Sequence, residues 1–192
     1  MSVATYIVVA LAFAISNMVL FRRCAEPFPI RLSKGLWVTF VVAAIQTLLY
    51  IIGLAVGDLL RIESTSDANM FARANAYIML GFLVFVILKQ LFPYLRREPQ
   101  LPIFNITEWK SVAAMAFATG INLLLAGIGI GFVMPFDGHL HIVLWPLLAL
   151  SFVFGYIGVM FGRQKVTMRP RRWIIVSDIL LLGTAIAAVV NV

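Results

Sequence analysis

Apolar residues run through this chain in long blocks, with polar and charged residues gathered mainly between them. Six blocks are long enough to cross a bilayer, which takes about 20 mostly apolar residues. They cover residues 4–21, 35–57, 74–92, 112–134, 142–162 and 173–190. In hydrocarbon every backbone N–H and C=O needs an internal partner, so each block is expected to be a helix. The pattern predicts an all-α fold: a polytopic membrane bundle of six transmembrane helices, with the lipid bilayer as its main surrounding.

Composition agrees. Of 192 residues, 62% are hydrophobic and 12% charged. Soluble domains are about 45–50% apolar and about 25% charged. The mean hydropathy is +1.02. A soluble domain of this size has no interior large enough to hide that much apolar surface. The net charge of +7 would suggest nucleic acid in a soluble protein, but here the bases sit in short stretches between apolar blocks. That distribution points to membrane topology and away from a nucleic-acid partner. Cys24 is the single cysteine, which excludes an internal disulfide and a Cys metal cluster. There is no basic stretch before Val3 and no small-residue cleavage site after the first block. The first helix is therefore expected to stay in the mature protein rather than act as a signal peptide.

The connectors differ in charge. The first carries Arg22, Arg23, Arg31 and Lys34 against Glu26, and the third Arg96, Arg97 and Lys110 against Glu98 and Glu108. The fifth holds Arg163, Lys165, Arg169, Arg171 and Arg172 with no acid. The second has Arg61 and Arg73 against Asp58, Glu63 and Asp67, and the fourth only Asp137. The positive-inside rule puts connectors one, three and five in the cytoplasm and both termini outside. Trp37, Trp109 and Trp173 stand near cytoplasmic helix ends and Trp145 near an outer one, as interface anchors do. Pro27, Pro29, Pro93, Pro99, Pro102 and Pro135 read as loop breakers.

The two halves echo one another. The first span reaches Asn17 through Ala12-Phe13-Ala14-Ile15-Ser16, and the fourth reaches Asn122 through Ala116-Phe117-Ala118-Thr119-Gly120-Ile121, a match that needs a one-residue offset. Gly53 and Gly57 close the second span as Gly158 and Gly162 close the fifth. Three spans per unit is an odd number, so the second unit would start on the opposite side. This predicts two inverted three-helix repeats, residues 1–92 and 112–192, joined by a cytoplasmic connector over 93–111. Many secondary transporters share that plan, with a site near midplane where the repeats meet.

Polar groups inside a span are costly and mark sites. Asn17, Asn122 and Gln46 with its neighbour Thr47 lie within spans, and Thr119 stands one turn before Asn122. They are candidates for an ion or substrate pathway; interhelical hydrogen bonding is the competing explanation. Asp178 is the one carboxylate plainly inside a span. It would bind a cation or carry a proton, or else pair with the bases Arg169–Arg172 at the surface. Asp58 reads as a solvated helix end, and Lys89 as a side chain that snorkels to the interface. Gly127, Gly129 and Gly131 permit either close helix packing or a local break that frees carbonyl oxygens. They are not a nucleotide loop, because no strand precedes them. His139 and His141 near Asp137 are a bare metal-ligand pattern in a short connector. No nucleophile–base set, paired carboxylates or phosphate cradle is present, so an enzyme is not expected.

These residues carry a family resemblance. The stretch Ala118-Thr119-Gly120-Ile121-Asn122-Leu123-Leu124-Leu125-Ala126-Gly127-Ile128-Gly129-Ile130-Gly131-Phe132 resembles the A-T-S-L-D-A-x-A-V-G-V-G-x-A-F segment of the bacterial manganese efflux pumps of the MntP type. Ala44-Ile45-Gln46-Thr47-Leu48 with Gly53 and Gly57 resembles that family's A-V-E-T-L and its trailing glycines. Gly158-x-x-x-Gly162-Arg163 resembles the motif ending its fifth helix. The resemblance implies six helices in two inverted repeats, a bacterial inner-membrane location and manganese as exported cargo, with no cofactor. It also shows departures. Asn17 and Asn122 stand where the family has aspartates, Gln46 where it has glutamate, and Asp178 where it tends to a small residue. Mn²⁺ favours carboxylate, carbonyl and water oxygens. Asn17, Gln46 and Asn122, with Asp178 restoring one charge, would form the metal site. The exchange of acids for amides leaves three outcomes open: export of a divalent cation with altered affinity, carriage of a monovalent or neutral solute, or a transport-inactive scaffold or regulatory homologue. The sequence does not specify an oligomeric state.

Overall fold

The computed structural model describes residues 3–61, 68–95, 103–134 and 140–190. Six helices make up almost all of it: α1 (Val3–Ala25), α2 (Leu32–Leu59), α3 (Ala68–Leu95), α4 (Trp109–Gly131), α5 (Leu140–Arg163) and α6 (Pro170–Val190). No strand occurs among the described residues. All six helices are long and apolar enough to cross a membrane. The 23 residues of α1 span about 35 Å, against a hydrocarbon core of about 30 Å.

Several ends differ from the apolar blocks. Arg22 and Arg23 form the last turn of α1 instead of starting a connector. Arginine is a good helix former, and a cation suits a helix C-terminus. Helix α3 runs through Pro93, which was expected to break it. The ring removes only the hydrogen bond to the Lys89 carbonyl, a small loss in the last turn of the helix. Helix α4 stops at Gly131, three residues short of its apolar block. Asp137 and His139 lie outside the described residues, as does the side chain of His141, so the histidine pattern has no structural counterpart to report. The connector charges Glu63, Asp67, Arg96, Arg97 and Glu98 and the prolines Pro99, Pro102 and Pro135 also lie outside them.

The extensive helix pairings all join a helix of residues 3–95 to a helix of residues 109–190. Helix α2 pairs with α4, and α1 with α5; lesser pairings are α1 with α6, α3 with α6, α2 with α5 and α3 with α4. Exchanging α1 with α4, α2 with α5 and α3 with α6 leaves this set unchanged.

Glycines make the two main pairings possible. A methyl group at Gly53 would overlap the Leu124 carbonyl oxygen, and one at Gly57 that of Ile128. From the other side, a Cβ at Gly127 would lie 2.6 Å from the Tyr50 carbonyl oxygen. Helices α1 and α5 cross in the same way: Gly158 lies against the Met18 carbonyl and Gly162 against that of Arg22. In both pairs residue numbers rise together along the contact, so the helices run parallel. Lipid supplies no hydrophobic drive between helices, and close backbone contact supplies dispersion instead.

Two apolar clusters fill the bundle. One gathers Tyr6, Phe13, Tyr50, Leu54, Met79, Leu83, Leu123 and Ile130. The other gathers Phe21, Val38, Val42, Ile106, Met115, Ala116 and Val159. Outside, Phe40, Leu48, Phe85, Phe117, Ile121, Val153, Ile179 and Ile186 are exposed, as are all four tryptophans. That outward apolar belt suits lipid as solvent.

At one end the odd-numbered connectors are laced together. The Arg22 Nε–H donates to the Val166 carbonyl at 3.0 Å, and Arg22 pairs with Glu26 at 3.4 Å. Lys34 Nζ donates to the Thr107 carbonyl at 2.7 Å.

Replacing Gly57 or Gly158 by valine is expected to destabilise the protein by about 1–3 kcal/mol through overpacking. Gly183 has open space around its Cα, so Gly183→Ala should be neutral or stabilising by up to about 1 kcal/mol. Thermal unfolding of detergent-purified variants checks both.

Candidate functional site

Where the two apolar clusters meet, three helices each present one polar side chain. Gln46 of α2 is fully buried and falls one turn after Val42 and one before Tyr50. Asn17 of α1 lies between Phe13 and Phe21, and Thr119 of α4 between Met115 and Leu123. The three residues form a thin polar layer between dry apolar ones.

The layer is closely bonded. Asn17 Nδ2 donates to Gln46 Oε1 at 2.7 Å. Gln46 Nε2 donates back to Asn17 Oδ1 at 2.9 Å and also to Thr119 Oγ1 at 2.7 Å. Thr119 Oγ1 in turn donates to the Met115 carbonyl at 2.8 Å. Each amide supplies the other with both a donor and an acceptor, which a pair of carboxylates could not do without a proton or a cation between them.

A cleft of ≈ 200 Å³ reaches this layer. Ser16, Asn17, Gln90, Thr119 and Asn122 line its polar part, while Arg23, Lys89, Pro93, Tyr94 and Phe104 line the end nearer the laced connectors. Asn122, a residue of the cleft wall, has its Oδ1 buried without a hydrogen-bond partner. Two bases and no carboxylate line the cleft. An ion that enters meets uncharged amide and hydroxyl groups in the polar part and the two bases at the other end.

The candidates thus separate. Asn17, Gln46 and Thr119 come together, and Asn122 joins them across the cleft. Thr47 does not: its hydroxyl donates to the Ala43 carbonyl of its own helix at 2.8 Å. Asp178 is buried, yet both its oxygens lack hydrogen-bond partners and it does not line the cleft. The alternative of pairing with Arg169–Arg172 at the surface fails, because α6 begins at Pro170 and carries Asp178 two turns below its start. Gly127 and Gly131 face the α2 glycines, and Gly129 faces Met79 and Phe82 of α3. Helix α4 is continuous through Gly127 and Gly129 and ends at Gly131. Among the described residues no group of three His, Cys, Asp or Glu side chains is placed to hold a metal.

The contact register refines the asparagine match. Gly53 and Gly57 meet Leu124 and Ile128, and Gly158 and Gly162 meet Met18 and Arg22. In that register Asn122 corresponds to Ser16, and Asn17 to Leu123. Sequence reasoning passed over Ser16. Its hydroxyl donates to Gln90 Oε1 at 3.0 Å and lies 2.9 Å from that of Ser177, which donates to the Ala12 carbonyl at 2.8 Å. Ser16-Asn17, Lys89-Gln90 and Ser177-Asp178 are polar doublets inside apolar blocks, and that doubling was the available signal.

A family model described as "Putative manganese efflux pump" matches residues 29–189. The chain belongs to that manganese efflux pump family. No curated protein and no solved structure matches it.

Gln46→Leu strips Asn17 and Thr119 of their partner and is expected to cost about 1–3 kcal/mol. In a double-mutant cycle, Asn17→Ala and Gln46→Ala should show a coupling of about 0.6–2 kcal/mol. Thr47→Val, outside the network, should show no coupling to either. Unfolding in detergent or mixed micelles measures all of these.

Proposed function

We propose that this member of the manganese efflux pump family is a secondary transporter that exports a divalent, manganese-like cation through the cleft and the amide layer. The observation that carries the reading is the position of Gln46. It is fully buried between two apolar clusters and bonded to both α1 and α4, through Asn17 and Thr119, which line the cleft. A carrier needs such a place: polar at midplane, sealed on one side and reached from the other.

The pairing pattern and the two parallel glycine crossings support two inverted three-helix halves. The first crossing lies at the end of α2 and the second at the end of α5, so the crossings fall at opposite faces of the bundle. Each forms a rigid unit, and rocking one against the other would move the opening from face to face. The basic character of the laced connectors supports a cytoplasmic position for that end, with both termini outside and the cleft open inward. In a bacterium this would be the inner membrane.

In this reading Asn122 Oδ1 and the Thr119 hydroxyl meet the cation first, with water completing its shell. Asn17 and Gln46 join only when their mutual bonds open. Neutral oxygens leave a dication's charge uncompensated, so binding is expected to be weaker than at a carboxylate site.

The reciprocal Asn17–Gln46 pairing favours a second reading, in which the amides close the layer for good. The protein would then carry a monovalent or neutral solute, or serve as a transport-inactive membrane scaffold.

Expression in a manganese-sensitive exporter mutant should restore manganese tolerance, and Gln46→Leu and Asn122→Leu should abolish the rescue. Asn122→Asp adds one charge at the free oxygen and should tighten Mn²⁺ binding about tenfold by calorimetry. If there is no rescue and no binding, the metal reading fails and the second stands.

A further inference from the structure

Asp178 is unused by the metal site, and it is the buried acid that most needs an explanation. It lies five residues into the apolar block that begins at Trp173, about 8 Å along the axis and so inside a hydrocarbon core of about 30 Å. Its relative exposure is 5%. Neither oxygen has a hydrogen-bond partner, and it belongs to neither of the ion pairs seen among the described residues. A bare carboxylate in that position would be uncompensated on every side, at a cost that proteins avoid by neutralising the group or giving it a counter-ion.

The surroundings select the neutralising partner. A metal cation would need several more oxygens. The hydroxyl hydrogens nearby are committed, Ser177 to Ala12 and Ser16 to Gln90, and among the described residues no acid or histidine cluster accompanies it. One proton removes the charge with no further ligand. The charged and titratable groups around it are few. From α3, Tyr94 interacts with it electrostatically; from α1, Arg23 is hydrogen-bonded to that tyrosine. The bases at the start of α6 itself, Arg171 and Arg172, are exposed.

Access is one side chain away. Ile174, four residues earlier on the same face of α6, lines the cleft, and so do Ser16 and Tyr94. Ser16 touches Ser177, the residue beside the acid.

We propose that Asp178 is the proton-carrying site that couples transport to a proton gradient, separate from the amide layer that meets the cargo. The inference rests on the transporter reading. The carboxylate takes a proton from water when it opens to one face and returns it to water at the other, so each cycle moves one proton and leaves the side chain unchanged.

Two measurements test it. The first is infrared difference spectroscopy of the purified protein against Asp178→Asn. At neutral pH the wild type is expected to show the carbonyl stretch of a protonated acid that the variant lacks. Superimposable spectra from two folded proteins, matched by size-exclusion elution, overturn the proposal. The second is flux in proteoliposomes, with Mn²⁺ as the probe and a pH dye inside. Wild type should move protons against Mn²⁺. Asp178→Asn should keep Mn²⁺ exchange while proton movement falls to that of empty liposomes, and Asp178→Glu should restore it. If Asp178→Asn moves protons as wild type does, or if wild type carries Mn²⁺ with no proton movement, the proposal is overturned and the transporter reading stands. If wild type carries no Mn²⁺, the transporter reading falls and the coupling role falls with it.

Discussion

A primary amide that cannot reach water, halfway along a membrane helix, must find its partners on neighbouring helices. Gln46 is that group, and the centre of the bundle is arranged around it. Its carboxamide accepts from Asn17 and donates to Asn17 and Thr119. Helix α2 is thereby held to α1 and α4 at a single height. An unsatisfied amide there would cost more than any single apolar contact returns. The layer also fixes where the apolar packing must stop and start again, so the two clusters lie on either side of it and not in one continuous core.

Glycine makes this height reachable. The Gln46 side chain meets Thr119 only because α2 lies against α4 with carbonyl oxygens almost touching Cα atoms at Gly53, Gly57, Gly127 and Gly131. Larger residues would hold the helices apart, and the hydrogen bond to Thr119 would lengthen or break. The polar layer and the glycine crossings therefore support each other. The crossings supply dispersion and proximity, and the amides supply register, since sliding α2 along α1 or α4 would break the Asn17–Gln46 and Gln46–Thr119 bonds.

The helices were legible because their cause is local. A run of about 20 apolar residues has one way to sit in a bilayer, and all six runs became helices. The ends were less legible. Pro93 and the pair Arg22 and Arg23 look like terminators in a string of letters, but the first and last turns of a helix tolerate residues its middle does not. For the site, Asn17, Gln46 and Thr119 stood out as polar residues in apolar blocks, and they do converge. What no spacing could reveal was their mutual satisfaction, which depends on how α1, α2 and α4 approach one another. Ser16 and Gln90 were missed for the same reason: their significance comes from α1, α3 and α6 meeting at one place.

The exchange of acids for amides that the family resemblance implies would have a structural meaning beyond lost charge. Three carboxylates at these positions would repel one another, and an ion would be the natural means of holding them together. With amides, the –NH₂ groups of Asn17 and Gln46 take the place of the positive partner, and the layer closes on itself. An ion that enters must compete with hydrogen bonds already made, instead of relieving a repulsion. In the transport reading proposed above, entry would begin at Asn122, a residue of the cleft wall whose buried Oδ1 has no hydrogen-bond partner. The ionisable acid that the layer lacks is found elsewhere, at Asp178 in α6. That distance matters. A charge inside the cargo site would strengthen binding directly. An acid set behind the Ser16–Ser177 contact would, in the coupling proposed above, respond when α6 shifts against α1 and so link the state of the cleft to its own protonation.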